Sequence, residues 1–261
     1  LHTEGWIEIN EIDLNDITTV ETSLVNVEGI NGTVVSPELN AAIGDLLETF
    51  TAHLDHDPVL TQNDIIRWEF AIAPSEVQYL GAGDQIEAQY KLTIRDDSGF
   101  QNAVNKNEID HVVHVVTITI GGTNDIPTIS ADTANIAETN APLTDSGTLN
   151  VGDLDTSDTV SAQITGVTPV GVNELTNPEL LQMFSIVPID PDNVIDGANT
   201  TGTLNWNFDS NANNLNKSFD FLAVGEQLQL TYNVQLTDSQ GATADNTVTI
   251  TIGGTNDIPT I

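Results

Sequence analysis

Three short runs between Gly121 and Gly241 place oxygen-bearing side chains at turn positions. Asn124 and Asp125 lie in "GGTNDIPTI", Asp153, Asp155 and Asp158 in "GDLDTSD", and Asp238 in "TDSQG". Carboxylates and amides are hard donors. Calcium takes six to eight such oxygens at ~2.3–2.6 Å, whereas magnesium keeps fewer protein ligands and more water. Aspartate in a turn also caps backbone N–H groups with no metal involved, so one "DLD" or "NDIP" decides little. Convergence separates the two readings, and convergence depends on the elements that carry these runs.

Those elements read as β. "QIEAQYKLTI" and "QLQLTYNVQL" alternate apolar and polar residues with period two, and "VTITI" is a β-branched run. Clusters such as "DDSG" and "DSQG" mark turns between them. Short strands without βαβ alternation predict a sandwich. In a seven-stranded sandwich the first strand leaves the connector and the second returns to it. The loops after the second and sixth strands then lie at the connector's end, which places Asn124, Asp125, Asp153, Asp155 and Asp238 together as a candidate calcium site.

A first strand near Ile126–Ala137, at about 3.3 Å per residue, carries Glu138 to the far end, toward Asn256 and Asp257. These three form a second candidate site, to be completed by a following domain. The first half offers Glu11, Asp13, Asp16 and Asp96 at matching upper positions, with Asp13 and Asp96 the candidate ligands. The chain starts too late to supply their connector, so that site is expected to be half-built.

Internal repetition sets the domain organisation. "VTITIGGTNDIPTI" occurs unchanged at Val116–Ile129 and Val248–Ile261, a spacing about the size of one domain. "RWEF" (Arg67–Phe70) answers "NWNF" (Asn205–Phe208), and Tyr79–Gly99 answers Phe221–Gly241. Ten extra residues between Gly99 and Val116 are expected to lengthen a late hairpin in the first copy. The chain therefore reads as mainly β, with two tandem β-sandwich domains, 1–125 and 126–261. The first lacks its leading strand, and the second ends in the next linker motif. Each holds a short helical insertion. Ser36-Pro37-Glu38 starts one, with Leu39, Ile43, Leu46, Leu47, Phe50 and Leu54 on one face. Asn177-Pro178-Glu179 starts a shorter one, followed by Leu180, Leu181 and Phe184. Both are expected to cover one end of a core.

Composition agrees with a bound cation. There are 39 Asp and Glu against 5 Lys and Arg, a formal net charge of −34, which disfavours nucleic acid and anionic membranes as partners. Such self-repulsion calls for salt or bound cations. No cysteine is present to staple the fold. At 39% hydrophobic and 5% aromatic the chain can build modest cores, and no apolar run approaches the roughly 20 residues of a membrane helix. No signal peptide is visible, so export is expected to be directed from elsewhere in a longer protein.

With "GTLNWNFDS", "FDFLAVGEQLQLTYNVQLTDSQGAT" and "VTITIGGTNDIPTI", the second copy resembles the VCBS repeat of large bacterial surface proteins, RTX-type adhesins in particular. The layout is also similar to cadherin-type sandwiches, which implies two tandem Ig/cadherin-like β-sandwich domains. The resemblance implies calcium-rigidified extender repeats of a stalk supporting adhesion or biofilm formation, exported by type I secretion to the Gram-negative cell surface. Asn124 and Asp125 match its junction motif, Asp153 and Asp155 its paired aspartates, Asp238 its late-loop aspartate and Glu138 its first-strand acid. Implied partners are neighbouring repeats of the same chain, with host or biofilm ligands engaged through other domains. No nucleic acid, membrane insertion or oligomer is expected. The first copy departs from the pattern, and the glycine-rich RTX nonapeptide is absent.

Other constellations point less far. His53 and His56 sit among acids, while His111 and His114 fall on opposite faces of a strand and cannot easily chelate. No nucleophile motif such as G-x-S-x-G appears, so no enzyme activity is expected. Trp6, Trp68 and Trp206 are expected in cores. The alternative function is a sugar- or peptide-binding module built on the first copy's helix and lengthened hairpin.

Overall fold

The computed structural model describes residues 1–10, 18–45, 49–55, 63–95, 111–188, 193–197, 199–215 and 218–257. The chain forms two compact units, Leu1–Thr123 and Asn124–Ile261. Unit 1 contains β1 (His2–Asn10), β2 (Thr19–Ile30), α1 (Pro37–Gly44), β3 (Phe50–Asp55), β4 (Asn63–Ala71), β5 (Gln85–Arg95) and β6 (His111–Gly121). Its sheets run β1-β4-β3 and β2-β5-β6. Unit 2 contains β7 (Thr128–Ile129), β8 (Asp132–Ala137), β9 (Thr144–Gly152), β10 (Thr159–Gly171), α2 (Asn177–Gln182), β11 (Phe184–Pro188), β12 (Ile195–Asp196), β13 (Thr201–Asp209), β14 (Gln227–Asp238) and β15 (Thr243–Gly253). Its sheets run β12-β10-β14-β15-β8 and β11-β13-β9-β7.

Period-two patterning explains why each unit is a sandwich. On β14, Leu228, Leu230, Tyr232, Val234 and Leu236 are all buried, and their alternate neighbours face outward. They meet Leu149 and Val151 of β9 and Leu204, Trp206 and Phe208 of β13 in one core. Unit 1 repeats this with Ile86, Ala88, Tyr90 and Leu92 of β5 against Ile66 and Phe70 of β4. An aromatic stack anchors each core. Phe50 lies on Tyr90 with centroids 4.1 Å apart, and Phe184 lies on Tyr232 at 4.2 Å. Each tyrosine hydroxyl donates to a helix carbonyl, Tyr90 to Ile43 at 3.2 Å and Tyr232 to Leu180 at 2.9 Å. Burial holds both phenols above their ordinary pKa. The helices thus seat over the end of each aromatic stack and satisfy a hydroxyl that would otherwise be stranded.

Several expectations need correction. α1 stops at Gly44, where the Asp45 N–H bonds the Ala41 and Ala42 carbonyls. Phe50 and Leu54 therefore belong to β3, paired opposite Phe70 and Ile66; Leu46 and Leu47 lie outside the described residues. In α2 the cap is Thr176, which forms a capping box with Glu179, and Phe184 begins β11. The single first strand expected near Ile126–Ala137 is two strands in different sheets. β7 pairs antiparallel with β9, and β8 pairs parallel with β15. Side chain–backbone bonds fix the crossing: Ser130 Oγ accepts from Asn150 N–H, and Asn246 Nδ2 donates to the Ile129 carbonyl. Trp6 is 68% exposed, so it is no core residue. Trp68 and Trp206 lie across Gly5 and Gly147, and only glycine admits the rings there. The lengthened hairpin falls on residues 96–110, outside the described residues.

Candidate metal centre

The aspartates of unit 2 are positioned by backbone bonds before any ligand is considered. Where β9 ends, Asp153 N–H donates to the Thr200 carbonyl at 2.8 Å, fixing the start of the loop. Asp155 N–H then donates to Asp153 Oδ1 at 3.1 Å, an Asx turn, and Asp158 N–H reaches the Asp155 carbonyl at 3.2 Å. At the end of β14, Asp238 Oδ1 accepts from the N–H groups of Gln240 and Ala242. Asn124 Nδ2 donates to Asp238 Oδ2 at 3.0 Å, and Asp125 N–H donates to Asp155 Oδ2 at 2.7 Å. Two loops and the segment that opens unit 2 therefore meet at one place.

This place is buried and negative. Asp153, Asp155, Asp158 and Asp238 are all at most 5% exposed. Carboxylate oxygens of Asp153, Asp158 and Asp238 lie within 4.8 Å of one another. Burial raises the Asp155 pKa to about 6, with neighbouring Asp125, Asp153 and Asp158 adding to the rise against the Asp125 N–H bond. Asp153 is raised too, by burial first and then by Asp158, Asp238 and Asp125, against the Asp155 N–H bond. Asn124 Oδ1, Asp153 Oδ2, Asp155 Oδ1 and Asp158 Oδ2 are buried with no hydrogen-bond partner. Native proteins rarely leave such atoms unmet. Lys217 is the one lysine or arginine after Asn124, so side-chain cations are scarce. The donor set, all oxygen and mostly carboxylate, suits a hard divalent ion.

Asp158 is the member that sequence reasoning left out of the converging set. It ends the run "GDLDTSD", and its spacing of three from Asp155, a single tight turn, is the signal that points to it. Ser239 Oγ, from the late loop, donates to Asp158 Oδ1 at 2.8 Å.

Other candidates are placed differently. Glu138, 1% exposed, follows β8; its N–H donates to the Gly253 carbonyl, and its Oε2 accepts from Thr255 N–H and Oγ1. Its Oε1 is buried without a partner. Asn256 Nδ2 donates to the Asp257 carbonyl at 3.3 Å, the same local turn that Asn124 makes with Asp125 at 3.0 Å. Both Asn256 and Asp257 are exposed, and no described acid is hydrogen-bonded to them. Asp13 and Asp96 lie outside the described residues.

No protein-family model matches the chain, and no curated protein matches it. The resemblance to adhesin repeats therefore rests on the quoted motifs. Among solved structures, the chain is similar to the CooA pilin subunit from enterotoxigenic Escherichia coli, at 14% identity and TM-score 0.33, over 51% of this chain and 100% of that one. It is similar to PcdhgB3 EC1-4 at 14% identity and TM-score 0.34, over 90% of this chain and 41% of that one. Similarity to the protocadherin GammaB4 extracellular domain is 14% identity and TM-score 0.37, over 78% of this chain and 27% of that one. Among the described residues no helix is long and apolar enough to cross a membrane.

Proposed function

We propose that the chain is a pair of calcium-stiffened extender repeats of a bacterial cell-surface adhesin, with a structural rather than catalytic role. The observation that carries this reading is the group of four buried, partnerless oxygens on Asn124, Asp153, Asp155 and Asp158. Those four residues, with Asp238, would hold the ion, and the ion would supply charge compensation. Without it, buried carboxylates repel one another and the segment through Asn124 and Asp125 is held by hydrogen bonds alone. β6 ends at Gly121, and Gly122 N–H bonds the Asp84 carbonyl in unit 1. Asn124 is in turn tied within unit 2 by its bond to Asp238.

Calorimetric titration of calcium into chelator-stripped protein tests this. Saturable binding is expected, much weaker for magnesium, together with a raised Tm. Equal thermal transitions with calcium and with chelator would overturn the reading. In solution scattering, calcium should narrow the distribution of shapes, and Asp155→Ala, which removes a carboxylate of that set, should broaden it again.

A second reading, a ligand-binding module, has one observation in its favour. Unit 1 holds a cavity of about 400 Å³ beside the end of α1, lined by Ala41, Ala42, Asp45, Thr49, Ile72 and Glu76 among others. Sugar or peptide binding that maps to these residues would support it.

A further inference from the structure

The six residues Val116–Gly121 at the end of β6 are letter for letter the six residues Val248–Gly253 at the end of β15. In unit 2 that strand carries a partner on its outer edge: β8 runs parallel to it, from Asp132 opposite Val248 to Ala137 opposite Gly253. In unit 1, β6 ends its sheet, and among the described residues no strand pairs with its outer edge. The burial of the identical side chains records the difference. Val248, Ile250 and Ile252 are 0% exposed, whereas Val116, Ile118 and Ile120 keep 6%, 6% and 3%. The alternate threonines 249 and 251 are half-buried on β15, while their counterparts Thr117 and Thr119 are exposed on β6.

β8 does more than pair. Asp132 Oδ2 at its start accepts from Trp206 Nε1 at 2.8 Å, Ala134 and Ile136 enter the core, and Glu138 after its end accepts from Thr255. Unit 1 retains each receiving group. Trp68 stands across Gly5 as Trp206 stands across Gly147, and Thr123 follows Gly121 as Thr255 follows Gly253. Among the described residues neither the Trp68 indole nor Thr123 has a hydrogen-bond partner.

We propose that the outer edge of β6 is an acceptor for an added parallel strand, a partner segment with the chemistry Asp-x-Ala-x-Ile-x-Glu. Main-chain bonds to β6 set its register, and the two apolar residues complete the core. Its aspartate engages Trp68 Nε1, and its glutamate engages Thr123 N–H and Oγ1. The acidic ends tell this segment from any other β-former, and an open edge without such an occupant invites unspecific pairing.

The probe is a synthetic peptide of residues 130–140, added to the full chain, with amide hydrogen exchange as the readout. Fragments that begin within residues 111–115, where the two strands differ, separate β6 from β15. Because an isolated strand binds weakly, a second arm joins residues 130–142 ahead of Leu1. That attachment is reasonable because Leu1 O accepts from Ile72 N–H as Leu143 O accepts from Ser210 N–H. Exchange across Val116–Gly121 is expected to slow at least tenfold in the joined protein, and the Trp68 indole proton should become protected. Replacing the segment's aspartate by asparagine should cost about tenfold in the Trp68 protein and nothing in a Trp68→Phe protein. Unchanged β6 exchange in the joined protein would overturn the proposal. So would peptide protection confined to β15, or concentration-dependent pairing of β6 between copies that the peptide fails to displace.

Discussion

Each aspartate of the 153–158 loop is held by a backbone bond that does not use up its carboxylate, so the loop arrives folded with oxygens to spare. Asp158→Ala removes one of them without touching a strand. We expect calcium affinity to fall by roughly ten- to hundredfold or more, since even outer-shell partners cost that much; calorimetry checks it. The pH response has a definite sign. Burial raises the folded-state pKa of Asp155 to about 6, above the roughly 3.9 of an unfolded aspartate. The chelated fold then binds a proton more readily than the unfolded chain, so this group lowers stability as pH rises from about 4 through about 6. In chelator, Tm should be higher at pH 5 than at pH 7. Asp155→Asn should flatten that slope, and saturating calcium should remove or reverse it. A steeper slope in the asparagine variant would contradict the assignment.

Among elements, the two helices and the two glycine–tryptophan crossings do the same work in both units. Thr176 and Glu179 cap α2 reciprocally, so Thr176→Ala should cost about 1 kcal/mol in urea unfolding. Gly147 is a closer constraint. A Cβ there would stand 2.4 Å from Asp132 Oδ2 and 2.7 Å from the Trp206 ring. Gly147→Ala should therefore destabilise by about 1–3 kcal/mol, and because it presses on Asp132 it should loosen β8 as well. Hydrogen exchange that accelerates along β8 and β15, more than along β10, is the expected pattern.

For the whole molecule, a net charge of −34 dominates. At 0.1 M ionic strength the Debye length is about 10 Å, so sodium chloride screens the surface while leaving the buried cluster unrelieved. Calcium at a hundred times its Kd should add about 2.7 kcal/mol per site. The expected result is a Tm rise that sodium chloride of equal ionic strength fails to reproduce, and that Asp155→Asn abolishes. A rise matched by sodium chloride would mean general screening and no site.

The β class, the repeat and the acidic runs were legible because period-two alternation, an unchanged fourteen-residue copy and turn aspartates are local properties of the chain. The helix ends were misjudged because Phe50 and Phe184 continue an apolar spacing that suits either a helix or the strand that follows. What only the tertiary structure decided is which oxygens are buried and unmet, since Asp153 and Asp238 are far apart in sequence and meet only when β9 and β14 end at the same edge of one sandwich. It decided also that two strands with the same last six residues differ in fate: β15 is covered by β8, and among the described residues no strand pairs with the outer edge of β6. Six identical residues carry the same capacity to pair, and whether it is met depends on a neighbour supplied by the rest of the fold.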